Sequence, residues 1–208
     1  MSLTVCMTMN DRPREVMDSV FTSFSTFPGN DTYDEMVIVN DRGDHGAIQA
    51  SLDRAKLKAR IVDMDGKPGR GPQAPPWNRA FAEVRTSHAY CISSDCIQLP
   101  WSVQIGAWCA RRFPDMVTMG RAEHCGRKYS FKYKDTYVKT MVSSYMGQPE
   151  GFAWVLPMDL IRKLDPPGYD ERFTGCCYEH VDLVIRIFES GTNPPKRSEE
   201  NSVAVRVS

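Results

Sequence analysis

No stretch of the 208-residue chain approaches the ~20 consecutive apolar residues of a membrane span, so none is expected. Met1 to Thr8 lacks a basic flank followed by an apolar block, and does not read as a signal peptide. Neither sign of charge dominates, with Lys+Arg and Asp+Glu at 26 each. No overall field therefore draws the chain to nucleic acid or an acidic membrane, and no nucleic-acid partner is expected. Cysteine occurs without a framework. Cys6, Cys91, Cys96, Cys109, Cys125, Cys176 and Cys177 are an odd number, with no CxxC pair. Reduced thiols in a reducing compartment, the cytoplasm, are the expectation. A zinc site from His124, Cys125, Cys176 and Cys177 lacks the usual ligand spacing, and buried thiols acting as small apolar groups are the better reading. Gly and Pro, at 14 each, show no disordered or collagenous excess. At this length folding removes about 70% of the chain's surface from water, so no staple is needed.

What is present is periodicity. Leu3, Val5 and Met7 alternate with polar or small residues, as in a strand. After Asn10-Asp11-Arg12-Pro13 the period changes. Val16, Met17, Val20, Phe21 and Phe24 share one helical face, with Asp11 as the expected cap and Pro13 in the first turn. Met36 to Val39 is a β-rich run ending in the turn cluster Asn40-Asp41-Arg42-Gly43-Asp44. Ile48, Leu52 and Ala55 predict a second helix, and Arg60 to Met64 a third strand. A Gly/Pro-rich loop covers Asp65 to Pro76, and Trp77, Ala80, Phe81 and Val84 then mark a helix. His88 to Ile92 reads as a strand running into Ser93-Ser94-Asp95, followed by a helix over Pro100 to Arg112.

This βαβαβαβ order implies an α/β fold with a mostly parallel sheet flanked by helices. Ligands on such sheets bind beyond the carboxyl ends of the strands, where Thr8–Asp11, Asn40–Asp44 and Ser93–Cys96 place polar turns. Further on, Met116–Met119 and Phe152–Leu156 are strand-like and Pro157–Leu164 is a short helix. Glu179–Glu189 reads as a helix with Val181, Val184, Ile185 and Phe188 on one face and Gly191 ending it. One domain is expected over 1–191. A polar tail follows over 192–208, with Val203-Ala204-Val205 as a small edge strand.

Five motifs, in order and at fitting separations, carry a resemblance. Met7-Thr8-Met9-Asn10-Asp11-Arg12 is similar to an opening strand and turn ending Pro-Thr-Tyr-Asn-Arg. Val39-Asn40-Asp41-Arg42-Gly43 is similar to Val-Asp-Asp-Gly-Ser, and Pro76-Trp77-Asn78-Arg79-Ala80 to Ala-Arg-Asn-Arg-Ala. Ser93-Ser94-Asp95, running to Pro100, aligns with a metal-binding DxD. Gly168-Tyr169-Asp170-Glu171-Arg172-Phe173 and Glu179-His180-Val181-Asp182-Leu183 resemble Gly-Phe-Asp-Glu-Arg-Phe and Glu-Asp-x-Asp-Leu. The chain thus resembles, over nearly its whole length, the family-2 glycosyltransferases with the small, single-domain GT-A (Rossmann-like) fold. Two departures bear on the activity: Ser93 stands at the first acid of the DxD, and His180 at the acid that serves as base.

The resemblance implies a metal-dependent glycosyltransferase moving a sugar from a nucleotide-sugar donor, most simply a UDP-sugar, to an acceptor hydroxyl with inversion. The acceptor is unknown. The implied cofactor is a divalent cation, Mn²⁺ or Mg²⁺, held by Asp95, for which an ordinary turn Asp is the competing role. Donor contacts are expected from Thr8, Asn10, Asn40, Asp41, Lys67, Arg70, Asn78, Ser94 and Asp95. Thr8 lines the base pocket, and Asn40 and Asp41 bond the base or ribose. For Asn40 an Asx turn is an equal alternative, Lys67 and Arg70 compete with solvated loop charges, and Asn78 competes as a helix cap. His180 is the expected base, with Glu179 as alternative, because an imidazole titrating near 6.5 suits proton transfer at neutral pH. Trp154 and Asp182 are expected on the acceptor side, against core packing for the Trp and a helix-start role for the Asp. A second reading keeps the fold without the chemistry. It is a nucleotide- or sugar-binding module, and the eroded DxD is its signature.

Overall fold

A computed structural model of the protein describes residues 2–64, 73–115, 117–119, 121–125, 153–173, 178–190 and 202–207. Its core is a mixed six-stranded sheet ordered β3-β2-β1-β4-β8-β6, where β1 is Leu3–Met9, β2 Glu35–Asn40, β3 Arg60–Asp63, β4 His88–Ser93, β6 Thr118–Met119 and β8 Ala153–Pro157. The first four run parallel, while β8 pairs antiparallel to both β4 and β6. The helices are α1 (Arg14–Thr26), α2 (His45–Ala55), α3 (Ala74–Glu83), α4 (Ser102–Arg112), α5 (Met158–Lys163) and α6 (Tyr178–Glu189). Among the described residues none is long and apolar enough to cross a membrane.

The alternation read in β1 divides the core. Leu3, Val5, Met7 and Met9 face a cluster built with Phe21 and Phe24 of α1, Leu52 of α2 and Val103 of α4. Cys6 faces the other way, with Val37, Val39, Cys91 and Trp154, against Phe81 of α3, Ile161 of α5 and Leu183 and Ile187 of α6. Burying both faces is why the parallel strands read as near-continuous apolar runs. Cys6, Cys91 and Cys109 are buried free thiols, and Cys96 is buried as well. His124 and Cys125 lie on strand β7 (Arg121–Cys125), but their side chains and all of Cys176 and Cys177 fall outside the described set.

Several boundaries move. Helix α1 starts after Pro13 with no side-chain cap, so Asp11 does not cap it. Helix α3 begins at Ala74, ahead of Trp77, because proline is tolerated in a first turn whose N–H groups have no partner anyway. Asn78 therefore sits inside the helix rather than opening it. The tail strand β9 (Ser202–Val207) lies between β5 (Cys96–Gln98) and β7 (Arg121–Cys125) in a second, three-stranded sheet, where an edge was expected. Among the described side chains of α6, Glu179, Leu183 and Ile187 are buried and Val184 packs against the core, whereas Ile185, expected on the apolar face, is 49% exposed; the side chains of Val181 and Phe188 lie outside the described set. Gly191 is outside the described residues.

Candidate active site

Strand order reverses between β1 and β4, since β2 and β3 lie on one side of β1 and β4 on the other. A crevice opens at the carboxyl ends of strands that part in this way. Arg12, just beyond β1, reaches across it. Its Nε donates to Ser94 Oγ at 3.1 Å, and its Nη2 lies 3.5 Å from Asp95 Oδ2. The Ser93 hydroxyl donates to Asp95 Oδ1 at 2.6 Å. Asp95 is buried, while the Arg12 side chain keeps 29% of its surface in solvent.

The turn after β2 forms the next wall. Asn40 Oδ1 accepts from Gly43 N at 2.7 Å, while its Nδ2 donates to Gly43 O at 2.9 Å and to Asp63 Oδ1 at 2.7 Å. One amide thus closes a turn and ties the ends of β2 and β3 together. The Asn40 amide, followed by the His45 imidazole, holds the Asp63 carboxyl below its usual range. Asp41 N donates to Met9 O at 2.8 Å, and its carboxylate pairs with the Arg42 guanidinium. Asp44 caps α2 by accepting from Gly46 N and Ala47 N. Half-buried Thr8 lies between Val39 and Ser93 in the sheet register. The Asn10 Oδ1 is buried without a hydrogen-bond partner.

A second cluster forms on the face carrying Cys6. Asn78 Oδ1 accepts from Tyr169 N at 2.7 Å, and Nδ2 donates to Tyr169 O at 2.8 Å and to Glu171 Oε1 at 2.9 Å. These bonds fasten the turn before α6 onto α3. Gly168 has φ +71°, and a Cβ there would lie 2.5 Å from Asn78 Oδ1. Glycine is the residue that fits. From the other side, Arg186 Nε donates to Asp182 at 2.7 Å, and its Nη atoms donate to the carbonyls of Pro166 and Gly168 at 2.6 and 2.8 Å. Arg172 holds the Asp170 carboxyl down at about 2 through side-chain and backbone hydrogen bonds.

This turn sets Tyr169 against His180. Their Oη and Nδ1 are 2.8 Å apart, and the Tyr169 ring stacks on Phe81 with centroids 5.7 Å apart and planes at 11°. Trp154 closes the other flank of His180, its ring centroid 5.8 Å away. Burial pushes the His180 imidazole below its ordinary value, with Glu179 opposing, and pushes the Tyr169 phenol well up. Beside His180, Glu179 is fully buried, and among the described residues neither carboxylate oxygen has a hydrogen-bond partner. The clusters adjoin through the sheet. Trp154 pairs with Cys91 and Ala153 with Ile92, one residue before Ser93.

Of the residues singled out in the sequence, Asn10, Asn40, Asp41, Ser94 and Asp95 gather with Thr8 at the strand ends. Asn78, Trp154, Glu179, His180 and Asp182 gather around the turn. Lys67 and Arg70 lie outside the described residues. Sequence reasoning passed over Arg12, Arg42, Asp63 and Tyr169. The first three stand next to a strand end, where a charge meets its neighbours. Tyr169 shows itself only as a hydroxyl where the resemblance has Phe.

This topology, with its strand-end crevice and its helix-start cluster on the adjoining face, is the GT-A glycosyltransferase fold. Similar solved structures include TarS of S. aureus, which superposes with TM-score 0.70 at 12% identity over 100% of this chain and 37% of that one. A structure of TarS residues 1–349 in complex with UDP-GlcNAc gives 0.69 at 12% identity, over 100% of this chain and 59% of that one. Glucosyl-3-phosphoglycerate synthase from Mycobacterium tuberculosis, in complex with Mn²⁺ and UDP-glucose, gives 0.61 at 15% identity, over 91% of this chain and 65% of that one. The chain therefore spans 37% to 65% of the length of these proteins. No family model matches the sequence, and no curated protein does.

Proposed function

We propose that the protein transfers a sugar from a nucleotide donor, most simply a UDP-sugar, to an acceptor hydroxyl with inversion at the anomeric carbon. The observation that carries this reading is the adjoining of two unlike clusters on a GT-A fold. One is a charged crevice at the strand ends. The other is a half-buried imidazole on the next face, which desolvation pushes below its ordinary value. Neighbours of the same fold are recorded with UDP-GlcNAc and with Mn²⁺ and UDP-glucose, which supports a nucleotide-sugar donor here.

In this mechanism the nucleotide lies over Thr8, Asn10 and Asp41, with Asn40 shaping their turn and Ser94 and Arg12 facing the diphosphate. Asn78 acts from a distance by holding the turn, and Asp182 by holding Arg186. Lys67 and Arg70, in the Gly/Pro-rich loop, are proposed as further diphosphate contacts. The acceptor enters beside His180, against which Trp154 packs from the core rather than meeting the acceptor itself. Its hydroxyl oxygen bonds to the anomeric carbon from the face opposite the diphosphate, the bond to the diphosphate oxygen breaks with its electron pair, and the proton passes to His180. Burial keeps that imidazole neutral at pH 7, as a base must be.

A divalent cation fits this crevice in one way. Asp95 offers a single carboxylate already shared with Ser93 and Arg12, and among the described residues no three His, Cys, Asp or Glu side chains converge. Mg²⁺ and Mn²⁺ take few protein ligands when phosphates supply the rest, so Asp95 would hold the ion together with the diphosphate. Bound there, the ion would neutralise charge developing on the leaving group. The buried free thiols support a cytoplasmic setting.

Calorimetry with UDP and its sugars, with and without Mn²⁺, tests donor binding, and donor hydrolysis tests chemistry. A donor at 100 times its Kd stabilises the fold by ~2.7 kcal/mol. The second reading, a binding module, is favoured by one observation, Ser93 at the first acid of the DxD. It expects that stabilisation with no hydrolysis and no transfer.

A further inference from the structure

The chain departs from the resemblance at Tyr169, which stands where the pattern has Phe, and at His180, which stands where it has Asp. The structure puts these two side chains in contact. The added hydroxyl meets the substituted imidazole at 2.8 Å. Neither group drifts. Asn78 grips both backbone polar groups of Tyr169 and Phe81 stacks on its ring, while the imidazole lies between the Trp154 and Tyr169 rings.

We propose that Tyr169 is a positioning residue for His180: its hydroxyl oxygen accepts from Nδ1–H and selects the tautomer in which Nε2 carries the lone pair that takes the acceptor's proton. The inference rests on the reading of His180 as base. A neutral imidazole carries one N–H, so the partner of one ring nitrogen decides what the other can do. Were the phenol to donate to Nδ1 instead, the proton would sit on Nε2 and no lone pair would remain for catalysis. Among the described residues no hydrogen bond engages Nε2. An aspartate base needs no such partner, because either carboxylate oxygen can accept. Exchanging Asp for His creates the tautomer problem, and exchanging Phe for Tyr supplies its solution.

Among the described residues, few titratable groups face this pair. On α6 they are Glu179, which opposes the downward push on the imidazole, and Asp182, which is held by Arg186. From β4, Cys91 faces Tyr169. The phenol, pushed well up, stays protonated throughout the working range.

The test is Tyr169→Phe, which keeps the ring on Phe81 and removes one oxygen. Nitrogen-15 NMR of the His180 imidazole in the nucleotide-free protein at pH 7.5 reads the tautomer directly. Nδ1–H is expected in wild type, and loss of that preference in the variant. An Nε2–H tautomer in wild type overturns the proposal, whatever the enzyme does. In transfer assays, Tyr169→Phe is expected to lower kcat about tenfold, to spare donor KM and to move the acidic limb of kcat/KM. An unmoved pH profile also overturns it. Combining Tyr169→Phe with His180→Asp restores the pattern's own pair. There the loss of the hydroxyl is expected to cost nothing beyond His180→Asp alone, and an equal cost in both backgrounds assigns Tyr169 to packing. His180→Ala reads the base separately. A wild-type rate in that variant removes the base itself. A wild-type rate in Tyr169→Phe beside a large loss in His180→Ala removes only the role of Tyr169.

Discussion

The strand-end crevice and the helix-start cluster adjoin, yet they are built on opposite principles. In the crevice nearly every polar group has a neighbour of opposite character: Arg12 with Asp95, Arg42 with Asp41, Asn40 with Asp63. Its parts lie within a few residues of strand ends that the sheet sets side by side. Around His180 the parts come from β8, α3, the turn at 168–172 and α6, and aromatic rings flank the imidazole. There, among the described residues, two Glu179 oxygens stay buried without partners. Charges already paired can be reclaimed by an incoming anionic ligand. A group that moves one proton must instead be held, because its protonation state and direction decide what it can do.

That contrast can be broken at several points. The largest expected effect is from His180→Ala, which should lower kcat/KM for transfer by about 10²–10⁴-fold and leave the donor Kd unchanged by calorimetry. A parallel loss of donor affinity would join the clusters into one binding unit. Next, Asp95→Asn should abolish the enhancement of UDP binding by Mn²⁺, a loss of about 1.5–3 kcal/mol, roughly ten- to a hundredfold. Titrations with and without the metal read it, and an enhancement that persists in the variant moves the ion elsewhere.

Gly168→Ala should destabilise the fold by about 1–3 kcal/mol in urea unfolding, through its left-handed φ and the clash with Asn78. It should disturb transfer before it disturbs UDP binding, because the turn serves the helix-start cluster alone. The smallest effect is on stability against pH. His180 in the fold titrates below its ordinary 6.5, so the unfolded chain binds more protons as pH falls. Stability should therefore decline from about pH 6.5 down to the depressed value and level off below it. The Tm of His180→Ala, followed over the same range, should lack that component.

The crevice was largely legible because strand-end turns announce themselves. A β-rich run followed by Asn, Asp, Ser and Gly places its polar side chains at one edge of the sheet, whatever the helices do. What escaped were the partners. Nothing in Arg12 tells of Asp95, because the two are joined by the strand order 2-1-4 rather than by sequence spacing. On α6 the expected Val184 packs against the core, whereas Ile185 is exposed, because the sheet decides how far round the helix the buried face extends.

By itself the sequence determined the α/β alternation, the parallel strands and the polar turns beyond them, because period and turn chemistry are local properties of the chain. It also set the departures at Ser93, Tyr169 and His180 from the pattern it resembles. Only the tertiary structure decided that these two touch, that Asn78 holds the turn rather than opening a helix, and that the tail strand lies between β5 and β7. Each of those depends on contacts between residues far apart in the chain. Whether such a contact forms is settled by how the sheet and helices pack, and no local periodicity carries that information.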